Sequence, residues 1–503
     1  MDQTPPPPPQ PAGVQAASQP PAAPSAPPTA TPAKKEPGGG YSLGVKIVAI
    51  LALLSGVALA FVPDPPRGEV ELWVFSKDHR ETYDQIIAND KAAAATDPDA
   101  ILGGLDVIVL QQQGLVRRTL SAFWADTPVA DLIEVERSAV SQFFSSPVAN
   151  IGFVDLTERL KADGIMDIVN PPSFAPWTTR GRIFGLPHDV HPVMLVYNQE
   201  VYDAAGVDVD SIETWDDFRR EMQKVTADTD GDGRPDRFGI SMWTTHLDQI
   251  EALMLQAGGG SFLRDPETGA DVIAVSSDAN AMVLAHVVSW CVGPKRIAVD
   301  APEFNPAGNK MKIDGRVASA IMPDWLAGGW KKDMPKLGGK LRLMPLPAWE
   351  PGGLRTTVWG GTSLMIPKSA PDFEKAWAYA KRLYLSPELA EALYRGNNII
   401  SPVRSLWSEP FYHEPDPFFG GQAVGSLFIE YADQVPGRTS SPYRGNALAR
   451  IGNALLDLER YAKDNQVYEP AELQAKAKEF LLEAEARVQR EIDRNVILKN
   501  EQW

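Results

Sequence analysis

From Val70 onward, short apolar runs alternate with amphipathic stretches, and that alternation most limits what this chain can fold into. VELWVFS reads as a strand, RETYDQIIANDKAAAA as a helix, LDVIVLQ as a second strand, and ADLIEV as a third behind another helical stretch. Apolar runs of strand length separated by segments of helix length define an α/β architecture with mainly parallel sheets. At 503 residues the chain exceeds one ordinary core, so two lobes are expected. Near the end, Leu448, Ile451, Leu455 and Leu458 recur at helical spacing. Leu473, Ala477, Leu481, Ala484, Val488 and Ile492 do so again after Pro470, predicting two helices that pack on a lobe.

One strand-like run is broken by polar chemistry. In GRIFGLPHDVHPVMLVYN, Gly181 to Asn198, the residues His188, Asp189 and His191 stand between two apolar segments, and two of the six histidines fall within four residues. Either they form a hydrogen-bonded turn, or they face water and a ligand.

The region before the body has a different character. Thirteen of the first 40 residues are proline and almost none is a large apolar residue, so residues 1–40 are expected to be a disordered, polyproline-biased tail. Residues 41–63 contain YSLGVKIVAILALLSGVALAFVP, whose one charge is Lys46. This apolar stretch reads as a single-pass transmembrane anchor, with Lys34, Lys35 and Lys46 on the cytoplasmic side and the body outside. The alternative is a signal peptide cleaved after Ala58-Leu59-Ala60, releasing the body to the periplasm. Both readings export the chain from Pro63 onward.

Charge and motifs exclude several functions. With 48 Lys+Arg against 65 Asp+Glu, the net charge of −17 argues against nucleic acid and against an anionic membrane surface as partners. Cys291 is the single cysteine, so no internal disulfide forms, and its apolar setting AHVVSWCVG predicts an inert thiol. The chain has no H-E-x-x-H, G-x-S-x-G, P-loop or C-x-x-C, which lowers the case for an enzyme and for any required cofactor. DTDGDGRPD places Asp228, Asp230, Asp232 and Asp236 at positions 1, 3, 5 and 9 of an EF-hand-like loop, with Gly233 at position 6. Position 12 is Gly239 rather than a bidentate Glu, so a structural Ca2+ site and a plain Asp/Gly turn both remain open. Of 13 tryptophans, Trp243, Trp325, Trp330 and Trp359 stand beside Gly, Thr or Asp rather than inside apolar stripes; each is either core or a flat face for a ligand.

In order along the chain, these segments resemble the extracellular solute-binding proteins of ABC importers, of the carbohydrate type that includes maltose-binding protein. The resemblance rests on GRIFGLPHDVHPVMLVYNQEVYDAAGV followed by ETWDDFRREMQKVT, on GRVASAIMPDWLAGGW, and on LRLMPLPAWEPGG with WGGTSLMIPKSAPDFEKAWAYAKRLYLSPELAEAL, and covers about Val70 to Val496. It implies a two-lobed, class II-like periplasmic-binding-protein fold with a central cleft. Residues 64–503 would form the solute-binding domain. The N lobe would hold about 68–189 plus 361–400, and the C lobe about 192–358 plus 401–503. The chain would first cross between lobes at His188–His191 and return near Thr357–Thr362. The implied ligand is a sugar or another small polar solute, bound without catalysis and delivered to ABC permease subunits. The implied contacts are Ser76, Glu136, Asp189, His191, Trp243, Trp325, Trp359, Gly360 and Arg404. Two rivals keep different roles: a ligand sensor signalling through the membrane anchor, and a carbohydrate hydrolase. Many relatives carry a lipidated cysteine after the signal, and FVPDPP has none.

Overall fold

The computed structural model describes residues 43–60 (side chains as far as 55), 68–265, 267–268 and 270–498. The Pro-rich tail 1–40 and the stretch 61–67 lie outside the described residues. The chain divides into a unit of residues 1–65 and a unit of residues 66–503.

The first unit contributes an 18-residue helix, Leu43–Ala60. At about 1.5 Å per residue it is about 27 Å long, against roughly 30 Å of bilayer hydrocarbon, and Lys46 falls in its first turn. Among the described residues no helix is long and apolar enough to cross a membrane. The expected spanning helix is thus not found.

The second unit is built on two sheets. The N-lobe sheet uses β1 (Val70–Val74), β2 (Leu105–Val109), β3 (Leu132–Glu136), β4 (Leu186–Pro187) and the late strand β8 (Thr362–Met365), in the order β2-β1-β3-β8-β4. β1 runs parallel to β2 and β3, while β8 is antiparallel to β3 and β4. The C-lobe sheet has β5 (Val193–Asn198) between β6 (Ser319–Pro323) and β7 (Leu341–Pro345), antiparallel to both. Within these two sheets the expectation of mainly parallel strands therefore holds only for β1 to β3, beside one short parallel pair of Ile240–Ser241 with Ala298–Val299 elsewhere. β5 leaves the crossing between lobes, whereas β6 and β7 run toward it, so their senses oppose. This register brings Val193 beside Pro323, Met194 beside Pro345, and Glu136 beside Thr362. The ends of β1, β3, β6 and β7 and the starts of β5 and β8 thus meet at one place between the sheets.

Both sheets are covered on two faces, which explains why the strands read as continuous apolar runs. In β1, Leu72 and Val74 pack with Tyr83 and Ile86 of the helix Lys77–Ala93, while Trp73 packs on the other side with Leu115 and Phe143. In β5, Met194 and Val196 face one core and Val193, Leu195 and Tyr197 the other, the period-2 alternation of a strand. Helix starts are capped locally: Thr214 and Asp217 form a capping box for Trp215–Val225, and Ser386 caps Pro387–Asn397. The predicted C-terminal helices are Arg444–Asn465 and Pro470–Arg494, and both pack on the helix Asp278–Cys291. Leu448, Ile451, Leu455, Leu458, Leu473, Ala477, Leu481, Ala484 and Val488 are all buried there. Cys291 ends the third helix half-buried, and burial pushes its thiol up to about 12.

Candidate functional site

Two chain segments pass side by side between the lobes. His188–Pro192 links β4 to β5, and Thr356–Gly361 leads into β8. They are joined by Val193 N to Thr357 O at 3.2 Å, a bridge between Pro192 and Val358, and His188 N to Thr362 O at 3.0 Å. A cavity of about 470 Å³ lies against them, between the ends of the two sheets, a volume in the usual range for small-molecule sites.

Six of the nine predicted contacts line it: Ser76, Glu136, His191, Trp325, Trp359 and Gly360. Ser76 follows β1 and caps Lys77–Ala93 by accepting from His79 N. Glu136 ends β3, and its Oε2 accepts from Gln112 Nε2 and Ser138 N, both at 2.8 Å. Burial raises its carboxyl above the ordinary range despite those donors. Trp325 opens the helix Asp324–Asp333 and is half-buried; its Nε1 donates to Trp359 O at 3.0 Å. One face of Trp325 stacks with Phe304, 6.0 Å away and 9° from parallel, and Phe304 is 65% exposed at the rim. Trp359 is only 5% exposed and belongs to the C-lobe core. Gly360 has φ +97°, and a Cβ built on it would lie 2.7 Å from Trp325 Nε1 and 3.1 Å from His191 Cδ2. Only glycine fits there.

The other three predicted contacts lie elsewhere. Asp189 is buried behind His191, outside the lining. Trp243 is half-buried beside His246, 4.3 Å between ring centroids, and it is His246 that lines the cavity. Arg404 is exposed and paired with Asp433 at 2.6 Å, away from the cavity.

The polar interruption in GRIFGLPHDVHPVMLVYN becomes a buried chain of charges. His191 adopts a left-handed backbone conformation, φ +57°, that costs a non-glycine residue roughly 1 kcal/mol. Its Nε2 lies 2.9 Å from Asp189 Oδ2 and its Nδ1 2.6 Å from Asp324 Oδ1. Burial opposes a charged ring, but the two carboxylates outweigh it and hold the proton up to about 10. Asp189 also accepts from Thr362 N at 3.0 Å, and Asp324 Oδ2 from Ile400 N at 2.8 Å. Burial would raise the Asp189 carboxyl, yet His191 and His188 bring it well below the carboxylate range. His188 continues the chain through Tyr83 to Glu134, which pairs with His79 at 3.0 Å and accepts from Tyr384 at 2.7 Å. Ligand atoms of His79, Glu134 and His188 lie within 4.8 Å of one another, close enough for a cation, although a direct hydrogen bond joins His79 to Glu134 and Tyr83 bridges Glu134 to His188.

Sequence reasoning missed the arginines. Arg444 donates to Glu251 Oε1 at 3.0 Å and to Asp248 Oδ1 at 2.5 Å. Arg137, next after β3, and Arg438 line the same cavity and are 3% and 9% exposed. A signal for this cluster did exist: Glu251 is the single charged residue of the run QIEALMLQ, every residue of which, Gln249 to Gln256, is buried.

The Asp-rich loop is at the surface. The carboxylates of Asp228, Asp230 and Asp232 lie within 4.8 Å of one another. Asp228 accepts from Gly231 N at 2.6 Å and Gly233 N at 2.7 Å, and Asp236 turns instead to Thr229.

Two lobes joined by crossing strands, with a cavity at the crossing lined by aromatic and charged side chains, define a two-lobed binding protein. The sequence pattern of the family described as bacterial extracellular solute-binding protein matches residues 125–388, more than half of the chain, and the chain belongs to that family. It is a family of binding proteins rather than enzymes, which agrees with the motif reading. Among curated relatives, the arabinooligosaccharide-binding protein of Halalkalibacterium halodurans is 25% identical over 430 residues, 84% of this chain and 91% of its own length. That of Bacillus subtilis is 26% identical over 399 residues, 77% of this chain and 87% of its own length. Among solved structures, the ABC-transporter-associated binding protein of B. animalis subsp. lactis, in complex with β-1,6-galactobiose, superimposes with a TM-score of 0.62 at 18% identity, covering 85% of this chain and 98% of that one. The sugar-binding protein MalE of Xanthomonas citri gives a TM-score of 0.62 at 18% identity, covering 85% and 99%. At those identities the structures establish the fold.

Proposed function

We propose that this protein captures a sugar or oligosaccharide in the interlobe cavity outside the cytoplasm and presents it to the permease subunits of an ABC importer. The observation that carries this reading is the cavity itself. Trp325 and Phe304 offer flat apolar faces for a sugar ring, and Glu136, His191, Gln112 and the arginines offer edges for its hydroxyls. The two crossing segments give a hinge about which the lobes close on the solute. A relative named for arabino-oligosaccharides and a similar fold solved with β-1,6-galactobiose support the same class.

Thermal shift of the full-length chain against a saccharide panel tests it. A ligand at 100 times its Kd stabilises by about 2.7 kcal/mol. Shifts for amino acids or peptides, with none for any saccharide, would overturn the reading.

Two finer readings belong to the same proposal. The apolar segment Tyr41–Val62 exports the body as a signal peptide cleaved after Ala58-Leu59-Ala60, and a mature N-terminus at Phe61 would support this release to the periplasm. The loop Asp228–Asp236 holds a structural Ca2+ through Asp228, Asp230 and Asp232, supported by the spacing of the three carboxylates and tested below.

A further inference from the structure

Three guanidinium groups line the cavity, and among the described residues only one is in direct contact with a carboxylate. Arg444 takes Glu251 and Asp248. Arg137 and Arg438 make no ion pair among the described residues. Arg137 donates Nη2 to Thr439 O at 3.2 Å, and its Nε and Nη1, both shielded from water, have no hydrogen-bond partner. Arg438 donates Nη1 to Gly360 O at 2.6 Å. The two side chains flank one glycine: a Cβ built on Gly361 would lie 3.1 Å from Arg438 Nη2 and 3.6 Å from Arg137 Cβ. Of the lining carboxylates, Asp248 and Glu251 contact Arg444, Asp78 pairs with Lys332 at 3.0 Å, and Glu136 is hydrogen-bonded by Gln112 and Ser138.

We propose that the solute brings the missing charge: an acidic oligosaccharide of the uronate type, whose carboxylate is received by Arg137 and Arg438 beside Gly361. The inference rests on the sugar-binding reading above and narrows it. A cation taken out of water without a carboxylate in contact is strongly disfavoured. A neutral sugar supplies hydroxyl dipoles to such a group, whereas a carboxylate supplies the charge and strong acceptors together. Burial and the neighbouring Arg444 pull the Arg137 guanidinium down to about 9, and burial pulls Arg438 to about 10, although Glu251 acts on both in the opposite sense.

Calorimetric titration of the full-length chain with digalacturonate, its methyl ester, galactobiose and glucose 1-phosphate tests the assignment. A charge-assisted contact of this kind gives the acid a roughly 10- to 100-fold advantage over its ester. Arg137→Gln and Arg438→Gln should each bring that ratio toward one. Both variants remove a buried unpaired charge, and their melting transitions verify the fold. Equal affinity for acid and ester overturns the inference and leaves the sugar-binding reading standing, as does binding of the phosphate with none of the uronate. Failure of every saccharide, charged or neutral, sinks both.

Discussion

His191 Nδ1 lies 2.6 Å from Asp324 Oδ1, tying the first crossing segment to the start of the helix Asp324–Asp333. The other ring nitrogen holds Asp189, so the imidazolium is clamped between two carboxylates at the hinge.

That clamp sets a pH dependence. The His191 proton is held to about 10, against an ordinary 6.5, so its contribution is complete below pH 6.5 and is lost as pH rises toward 10. The slope of that loss reaches about 1.4 kcal/mol per pH unit. Asp189 is displaced the opposite way, so its contribution is present above its ordinary 3.8 and is lost as pH falls below it. Denaturation midpoints should therefore plateau from about pH 4 to 6.5 and decline on the alkaline side. NMR titration of the His191 ring should show no deprotonation up to pH 9, and a ring that titrates near 6.5 would remove the charged clamp.

The two cavity tryptophans should separate binding from stability. Trp325 is half-buried, so Trp325→Ala loses mainly ligand contact. Truncating such an aromatic costs on the order of 2–3 kcal/mol in transfer terms, or roughly 30- to 150-fold in affinity. Trp359 is 5% exposed in the C-lobe core, so Trp359→Ala should cost about 3–5 kcal/mol of stability as well. Urea denaturation beside calorimetry checks both; equal stability losses would mean that Trp325 is core too.

The arginines differ in sign. Removing Arg444 leaves Glu251 and Asp248 without a counter-charge, so Arg444→Met should destabilise by roughly 3–5 kcal/mol. Arg137→Met removes a buried cation that has no carboxylate partner, and the unliganded protein should be as stable as the parent or more so. Chemical denaturation without sugar compares them directly, and a large loss in Arg137→Met would reveal a counter-charge for that group.

Local pattern made the crossing legible. An Asp and two histidines inside an apolar run have no place in a strand, and the structure puts them where β4 hands over to β5. Strand ends were legible for the same reason, since Ser76 and Glu136 directly follow or close apolar runs. The charged floor of the cavity was not, because its members are distant in sequence: Arg137 and Thr439 are 302 residues apart. Arg404 shows the converse error. The resemblance implied it as a ligand contact, but Asp433 holds it at the surface. Trp359, flanked by glycines, read as open to a ligand; the glycines instead let Trp325 and His191 approach the backbone at Gly360.

The Asp-rich loop yields the last prediction. Calcium favours six to eight oxygen ligands, several of them carboxylate. Asp228, Asp230 and Asp232 bring three carboxylates together at the surface, while Gly231 and Gly233, at φ +82° and +85°, make the turns that a side chain would resist. The backbone donors at Gly233 and Gly231 already hold the Asp228 carboxyl below its ordinary value, so it is charged and ready for a cation at neutral pH. Asp236 is committed to Thr229, and position 12 is Gly239, whose Cβ position would lie 2.5 Å from Met222 Cβ, so no carboxylate can stand there. Those losses leave a site that water must complete, and binding should be weak and structural. Calcium should raise the melting temperature slightly, and Asp230→Ala should abolish that increment while leaving the calcium-free transition and sugar affinity as they were. A protein whose melting is the same in EDTA and in millimolar calcium, with Asp230→Ala indistinguishable from the parent, would identify the loop as a plain turn.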